Sequence, residues 1–190
     1  MGVRWTQAKM REVAEEERAQ LGLGVFEPLD PYRLAEEHGI PVYAIDELAD
    51  CDRSDRAVQH FTQVRKGAWS AALVPIGRRR LIIENRSHAP VRRRSSIGHE
   101  LGHFLLEHPF DTILLTETGC RRFDPALEKQ AMFVAGELLV PWKAAVKAAF
   151  DDWTNEQVSQ QFGVSQQFAQ MRMYGARAFA RNARIKQGSQ

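Results

Sequence analysis

The first forty residues carry the spacing and the end signals of two helices. Residues 6–20 repeat apolar and charged positions at helical intervals, and they predict a charged surface helix that ends near Gly22. Asp30-Pro31 predicts the start of a short helix, because Asp is a good N-cap and Pro suits the first helical position. Gly39 is placed to end that second helix.

Three short apolar runs predict strands. They are residues 40–45, 69–75 and 80–84. Gly77 lies between the last two runs and predicts a turn, so we expect these two strands to form a hairpin. Residues 46–66 are polar and mixed, and we expect a loop or a short helix there.

The second half of the chain predicts helices. Apolar spacing places one helix from Pro90 to about Glu107, and another after Asp124-Pro125 that stops before Pro141. Further helical segments are expected at 142–150, at 154–162 and from Gln166 onward, with a tight turn at 163–165.

Composition fits a single globular domain. The 190 residues are 44% hydrophobic and 26% charged, with a formal net charge of +2. No apolar run reaches the length of a membrane span, and the N-terminus lacks the apolar core of a signal peptide. Cys51 and Cys120 form no CxxC motif and no disulfide framework. We therefore expect a cytoplasmic protein without a membrane partner.

Charge is unevenly distributed along the chain. Acidic residues crowd the first third, and basic clusters follow at 78–80, 92–94 and in the C-terminal segment. Such asymmetry can mark contact with nucleic acid, but a solvated face is the commoner cause. We interpret it as a solvated face and assign no nucleic-acid-binding residue.

Residues 99–103 spell HELGH, an H-E-x-x-H motif within the predicted helix 90–107. Residues four apart on a helix differ by about 40° around its axis, so His99 and His103 point the same way and can bind one Zn²⁺. Glu100 lies beside them, where its carboxylate can take a proton from a water that the metal activates. The flanking residues are apolar, which indicates a buried helix rather than one with two surface histidines. The motif predicts metal-assisted hydrolysis of a peptide bond.

Catalytic zinc usually has a third protein ligand. The three-histidine pattern fails here, because Leu106 and Pro109 occupy its glycine and third-histidine positions. His108 is one residue off, and it would point about 140° away from His103 if the helix continued. The remaining route is a carboxylate on the next helix, where Glu128 and Glu137 lie about 180° apart. Glu128 suits a helix N-terminus, although a surface carboxylate explains it equally well.

Three stretches together resemble the ImmA/IrrE family of zinc metallopeptidases. Residues 81–85 (LIIEN) are similar to the strand and Asn before the zinc helix, residues 93–103 to that helix, and residues 128–141 (EKQAMFVAGELLVP) to the family's second helix. The segment around 162–172 and the entry segment 30–40 also resemble members of the family, so the similarity covers most of the chain.

The resemblance implies Glu128 as the third zinc ligand and an α+β fold. That fold would have a compact zincin-like core over residues 1–150, with a small antiparallel sheet packed on helices. Residues 151–190 would form a C-terminal helical lobe with helix-turn-helix character. The implied activity is cytosolic proteolysis, typically of a helix-turn-helix repressor in a mobile-element or stress-response setting. The family often has Asn or Asp where this chain has Met132. A polar side chain there would orient a ligand histidine, so Met132 puts the turnover rate in question.

These residues define a mechanism as a hypothesis. Zn²⁺ polarises a water and the scissile carbonyl, and Glu100 moves the proton from that water to the leaving amine. We expect the protein substrate to lie extended along the edge of strand 69–75, at Trp69, Ala71 and Leu73. An ordinary sheet edge explains that strand equally well. Tyr174, His88 and the arginines near the zinc helix are candidate donors to the oxyanion.

Two other classes of protein remain as alternatives. Val158, Phe162, Gly163 and Val164 have helix-turn-helix character next to a basic segment, as in a DNA-binding regulator, although packing around the zinc core explains the same spacing. The other alternative is a zinc-bearing interaction module or toxin–antitoxin partner with little turnover. It would bind zinc and its partner without cleavage.

Overall fold

The computed structural model describes residues 5–48, 55–109 and 124–187. The helices and strands follow the order that the sequence predicts. In chain order they are α1 (Gln7–Gln20), α2 (Pro31–Glu37), β1 (Val42–Ala44), α3 (Asp55–Gln59), β2 (Ala71–Ile76), β3 (Arg79–Glu84), α4 (Pro90–Leu105), α5 (Pro125–Leu139), α6 (Trp142–Phe150), α7 (Asn155–Phe162) and α8 (Gln166–Gln187). A 3₁₀ turn (Ile45–Leu48) follows β1, and a π-helical turn (His60–Val64) extends α3. The α+β class is confirmed.

Side chains that precede two helices cap them as the sequence predicts. The Asp30 carboxylate accepts the backbone N–H of Tyr32 at the start of α2, and the Asp124 carboxylate accepts that of Ala126 at the start of α5. Each cap satisfies one of the N–H groups that a helix leaves unpaired at its first turn. The cap at Asp124 fixes the start of α5 and therefore the position of Glu128 in its first turn.

The sheet is mixed rather than wholly antiparallel. Its described strands are ordered β1-β3-β2. The predicted hairpin is confirmed, since β2 pairs antiparallel with β3 and Leu73 lies opposite Ile82. The expected antiparallel sheet is wrong for β1, which pairs parallel with β3, with Val42 opposite Ile82. The chain between β1 and β3 is long enough for the crossover that a parallel pair needs.

Helices α4 and α5 pack very closely, because glycine and alanine face each other at their crossing. A Cβ atom on Gly102 would lie 2.5 Å from the carbonyl oxygen of Ala131, so the crossing requires glycine at that point. A Cβ on Gly98 would lie 3.2 Å from Leu139. Ile97 and Leu101 are fully buried on the same helix. This contact brings the first turn of α5 beside the middle of α4.

The C-terminal helices join the same hydrophobic core. Val158, Phe162 and Val164 are buried, so packing accounts for their apolar spacing. The buried Glu137 of α5 pairs with Arg172 of α8 at 2.8 Å and anchors α8 to the helix that carries Glu128. The division of the chain at residue 150 and DNA binding by the C-terminal segment stay predictions. None of the helices in the described ranges combines the length and apolar character needed to cross a bilayer.

Candidate metal centre

Three side chains from α4 and α5 converge on one point. The Nε2 atoms of His99 and His103 lie 3.2 Å apart. Glu128 places Oε2 at 3.0 Å from His99 Nε2 and Oε1 at 3.5 Å from His103 Nε2. One ligand atom from each residue lies within 4.8 Å of the other two. The structure thus brings together the three side chains that the sequence and the resemblance predict as ligands.

The spacing and chemistry of this set fit a zinc ion. Two ligands on a tetrahedral zinc, each about 2.0–2.1 Å from the metal, lie about 3.3 Å apart. The two Nε2 atoms lie 3.2 Å apart, and each lies 3.0–3.5 Å from one of the two oxygens of the Glu128 carboxylate. Two imidazoles and one carboxylate leave a fourth position for water or substrate, as in catalytic zinc sites. The Glu128 side chain is 31% exposed, so solvent reaches the centre. Glu137 belongs to the buried pair with Arg172, which leaves Glu128 as the carboxylate of α5 at this centre.

Glu100 makes a hydrogen bond to strand β2. Its Oε2 atom accepts the backbone N–H of Leu73 at 2.8 Å, and the residue is only 6% exposed. This bond therefore ties the Glu100 side chain of α4 to β2. A buried carboxylate with a fixed orientation suits proton transfer, because transfer depends on the distance and direction of the acceptor atom.

The edge of β2 opposite β3 carries backbone groups that do not take part in the hairpin ladder. Asn85 N–H donates to Ser70 O at 2.9 Å, which marks residues 70 and 85 as a hydrogen-bonded pair. Because such pairs alternate along an antiparallel ladder, the backbone groups of Ala71 and Leu73 point to the other edge. The bond from Leu73 to Glu100 agrees with this assignment. Within the described residues, no strand pairs with that edge.

The three predicted substrate residues have different positions. Ala71 and Leu73 belong to β2, but Trp69 precedes it. The Leu73 side chain is buried in the core, so it offers only its backbone to the edge. Trp69 packs its ring against Phe61 at 5.8 Å between centroids, and its carbonyl oxygen accepts from the Asn85 side chain. Their contact with a substrate stays a prediction.

The candidate oxyanion donors are mostly engaged elsewhere. His88 Nε2 contacts the carbonyl oxygen of Lys66 at 2.5 Å. Arg93 donates to Glu84, and Arg94 donates to backbone oxygens of Leu29 and Gly163. Each of these contacts holds a loop or a neighbouring element in place. Tyr174 is 82% exposed on α8.

His108 lies behind His103, a position that the sequence did not predict. Helix α4 ends at Leu105 instead of continuing, and Glu107 takes a positive φ of 50°. His108 N–H then bonds to the carbonyl oxygen of His103 at 3.1 Å, as in a Schellman turn. The turn brings His108 Nδ1 to 3.0 Å from His103 Nδ1. A histidine shortly after the motif was the available signal, but its direction depended on where the helix ended.

His108 also contacts α5. Its Nε2 atom lies 3.0 Å from Oε1 of Gln130. Burial lowers the pKa of His108 below its usual value, and the Gln130 hydrogen bond acts in the opposite direction. The neutral imidazole can therefore donate from one ring nitrogen and accept at the other.

Met132 is 42% exposed on α5. A polar neighbour of His103, one of the predicted ligands, is His108. Among the described residues, His99 Nδ1 is buried without a hydrogen-bond partner. Cys51 and Cys120 lie outside the described residues.

Comparison with known proteins identifies the family. Residues 35–174 match the family model Peptidase_M78, described as the IrrE N-terminal-like domain. The matched range includes α4, α5 and the strands beside them, and it confirms the resemblance seen in the sequence. The comparison with curated proteins finds no match. Because the family model matches well over half of the chain, the protein belongs to the IrrE N-terminal-like family of metallopeptidases.

Proposed function

We propose that this protein is a zinc-dependent endopeptidase that cleaves a cytosolic protein. The observation that carries the proposal is the convergence of two histidines of α4 and one glutamate of α5 at 3.0–3.5 Å. A helix-turn-helix transcriptional repressor is the substrate class that the resemblance to the ImmA/IrrE family favours. Gly102 and Ala131 support the site, since they let the two helices approach closely enough for the ligands to meet.

His99 Nε2, His103 Nε2 and a Glu128 carboxylate oxygen would hold the ion. When bound, Zn²⁺ supplies Lewis-acid activation of a water and of the scissile carbonyl. The histidines offer lone pairs from neutral imidazoles, and Glu128 contributes one negative charge. The net charge of the centre then stays positive, which favours the developing oxyanion.

Glu100 would perform the proton transfers. Its carboxylate accepts the proton of the attacking water and donates it to the nitrogen of the leaving amine. The hydrogen bond from Leu73 N–H fixes one carboxylate oxygen, so the orientation of the other is restricted. Both transfers use the same carboxylate, which ends the cycle ionised and ready for the next substrate.

The substrate would add to the sheet as an extended strand beside β2. The carbonyl oxygens of Ala71 and Leu73 point to that edge and can accept N–H groups of a peptide. Pro75 shares the register of Ala71 and Leu73 but has no N–H to donate. Because this edge offers more backbone C=O acceptors than N–H donors, it favours a peptide whose own N–H groups donate the hydrogen bonds that align it.

A cleavage assay with two variants tests this function. A helix-turn-helix repressor, if one is encoded beside this gene, is the first substrate to test, incubated with and without a chelator. Glu100→Gln should bind one zinc per chain and lose cleavage by more than about 100-fold, because the base is gone while the ligands remain. Glu16→Gln, the same change at an exposed site of α1, serves as the matched control and should cleave at the parent rate.

Two results would reject the proposal. Cleavage by Glu100→Gln at the parent rate would exclude the assigned base. Stoichiometric zinc with no cleavage of any repressor by the parent protein would favour the zinc-bearing interaction module over a peptidase.

A further inference from the structure

His108 and Gln130 lie outside the ligand set but connect to it through a continuous line of hydrogen bonds. Gln130 Oε1 lies 3.0 Å from His108 Nε2, and His108 Nδ1 lies 3.0 Å from His103 Nδ1. His108 is 4% exposed, so water does not substitute for these partners. The rings of His103 and His108 meet edge to face at 5.1 Å between centroids.

The donors and acceptors in this line of hydrogen bonds can be arranged in one direction, from His103 through His108 to Gln130. A carbonyl oxygen such as Gln130 Oε1 accepts and cannot donate, so His108 must carry its proton on Nε2. A neutral His108 then has a lone pair on Nδ1, which accepts a proton only from Nδ1–H of His103. With the proton on Nδ1, the lone pair of His103 is on Nε2, the atom that faces His99 and Glu128.

We propose that His108 and Gln130 are positioning residues that hold His103 in its metal-binding tautomer before the ion arrives. This rests on the proposed zinc site and goes beyond it, since it assigns a role to two residues that touch neither metal nor substrate. Hydrogen-bond acceptors behind a ligand histidine fix its ring and raise its basicity.

The backbone explains why His108 can reach this position. The Schellman turn with Glu107 at positive φ reverses the chain directly after α4. Gln130 lies two residues after Glu128 on α5, so one helix supplies both a ligand to the metal and the acceptor at the end of the line. The approach of α4 and α5 therefore sets the ligand and its support together.

The first test needs no variant and no metal. Nitrogen chemical shifts of the histidine rings in the metal-free protein at pH 8 report which nitrogen carries the proton. His103 should be protonated on Nδ1 and His108 on Nε2. A His103 ring protonated on Nε2 would overturn the proposal, whether or not the protein later proves to be a peptidase.

The second test measures zinc affinity by competition with a chromophoric chelator. His108→Ala should weaken zinc binding by about 10- to 100-fold, the usual effect of losing such a partner. His108→Asn should restore most of the affinity, because its Oδ1 atom can accept where Nδ1 did. Gln130→Glu keeps an acceptor and should bind zinc at least as tightly as the parent, whereas Gln130→Met should bind more weakly.

The control is His60→Ala, which removes an exposed histidine outside the site and should leave zinc affinity unchanged. If Gln130 had only a structural role, Gln130→Glu and Gln130→Met would change zinc affinity to the same extent. Equal zinc affinities for these two variants would therefore contradict the proposal. Parent-level affinity in His108→Ala would do the same. Failure of the parent to bind zinc would instead reject the metal centre, and the tautomer measurement would still decide this proposal.

Discussion

The backbone N–H of Leu73 donates to the Glu100 carboxylate at 2.8 Å, and this bond joins the edge of the sheet to the residue proposed as the base. The same strand edge is where we propose that the substrate adds. Strand β2 would therefore position both the substrate and the carboxylate that transfers the proton. A peptide that binds this edge is placed beside the carboxylate that must reach its scissile bond.

The Leu73→Pro variant should separate the role of the Leu73 N–H in orienting Glu100 from the packing of the Leu73 side chain. Proline removes the N–H of residue 73 without breaking a hydrogen bond to β3, because the backbone N–H and C=O of Leu73 point away from that strand. Pro75 already occupies an equivalent register position on β2. We expect kcat to fall about tenfold below that of Leu73→Ala, which loses the same buried side chain but keeps the N–H. Steady-state kinetics of the two variants measures the difference. Equal kcat values would show that the bond does not orient Glu100.

Gly102→Ala should damage both the fold and the metal centre. The added Cβ would lie 2.5 Å from Ala131 O, so α4 and α5 must move apart and Glu128 must move away from the histidines. We expect a loss of about 1–3 kcal/mol in unfolding free energy, with weaker zinc binding. Urea unfolding and chelator competition measure the two effects.

Gly67→Ala is the control for that substitution, because a Cβ there meets nothing within 4 Å. It should change stability by less than about 0.5 kcal/mol. Parent-like zinc affinity in Gly102→Ala would mean that the ligands do not depend on this close approach.

Tyr32→Phe tests the contact between α2 and the end of β3. The Tyr32 hydroxyl donates to the buried Glu84 carboxylate at 2.7 Å, and burial together with this bond raises the pKa of Tyr32 to about 12. A raised pKa means that the folded state favours the neutral phenol. Its stabilising contribution is therefore complete below pH 10 and is lost as the pH rises through about 12.

We expect Tyr32→Phe to be about 1–2 kcal/mol less stable than the parent at pH 8. The gap should shrink between pH 10 and pH 12 in urea unfolding. Tyr43→Phe changes an exposed tyrosine on β1 and should stay within about 0.5 kcal/mol of the parent. A gap for Tyr32→Phe that is constant with pH would remove the assigned cause.

The sequence predicted the helices and the ligands because their signals are local. The caps Asp30 and Asp124 mark helix starts within a few residues. The pair His99 and His103 needs only the helical repeat to face one way. Glu128 required more, since spacing alone left it no better than a surface carboxylate and only the resemblance to a family selected it.

The features that were missed depend on tertiary contacts. The parallel direction of β1 is set by how the chain crosses back to β3, which no local pattern records. The resemblance to the family placed the polar partner of a ligand histidine at position 132, but the end of α4 turns His108 toward His103 instead. That turn requires a positive φ at Glu107, where the usual sequence signal, glycine, is absent.

Zinc should stabilise the fold through Glu128, because the ion would join α4 to α5. Free zinc at 100 times its Kd is expected to add about 2.7 kcal/mol to the free energy of unfolding. Glu128→Gln should lose most of this gain, since an amide is a weak zinc ligand, while its stability without metal stays near that of the parent. Thermal and urea unfolding with and without zinc measure the gain independently of any substrate. Glu156→Gln, an exposed change in the first turn of α7, should keep the full gain. A full gain in Glu128→Gln would remove this residue from the ligand set, even if the two histidines still bind the ion.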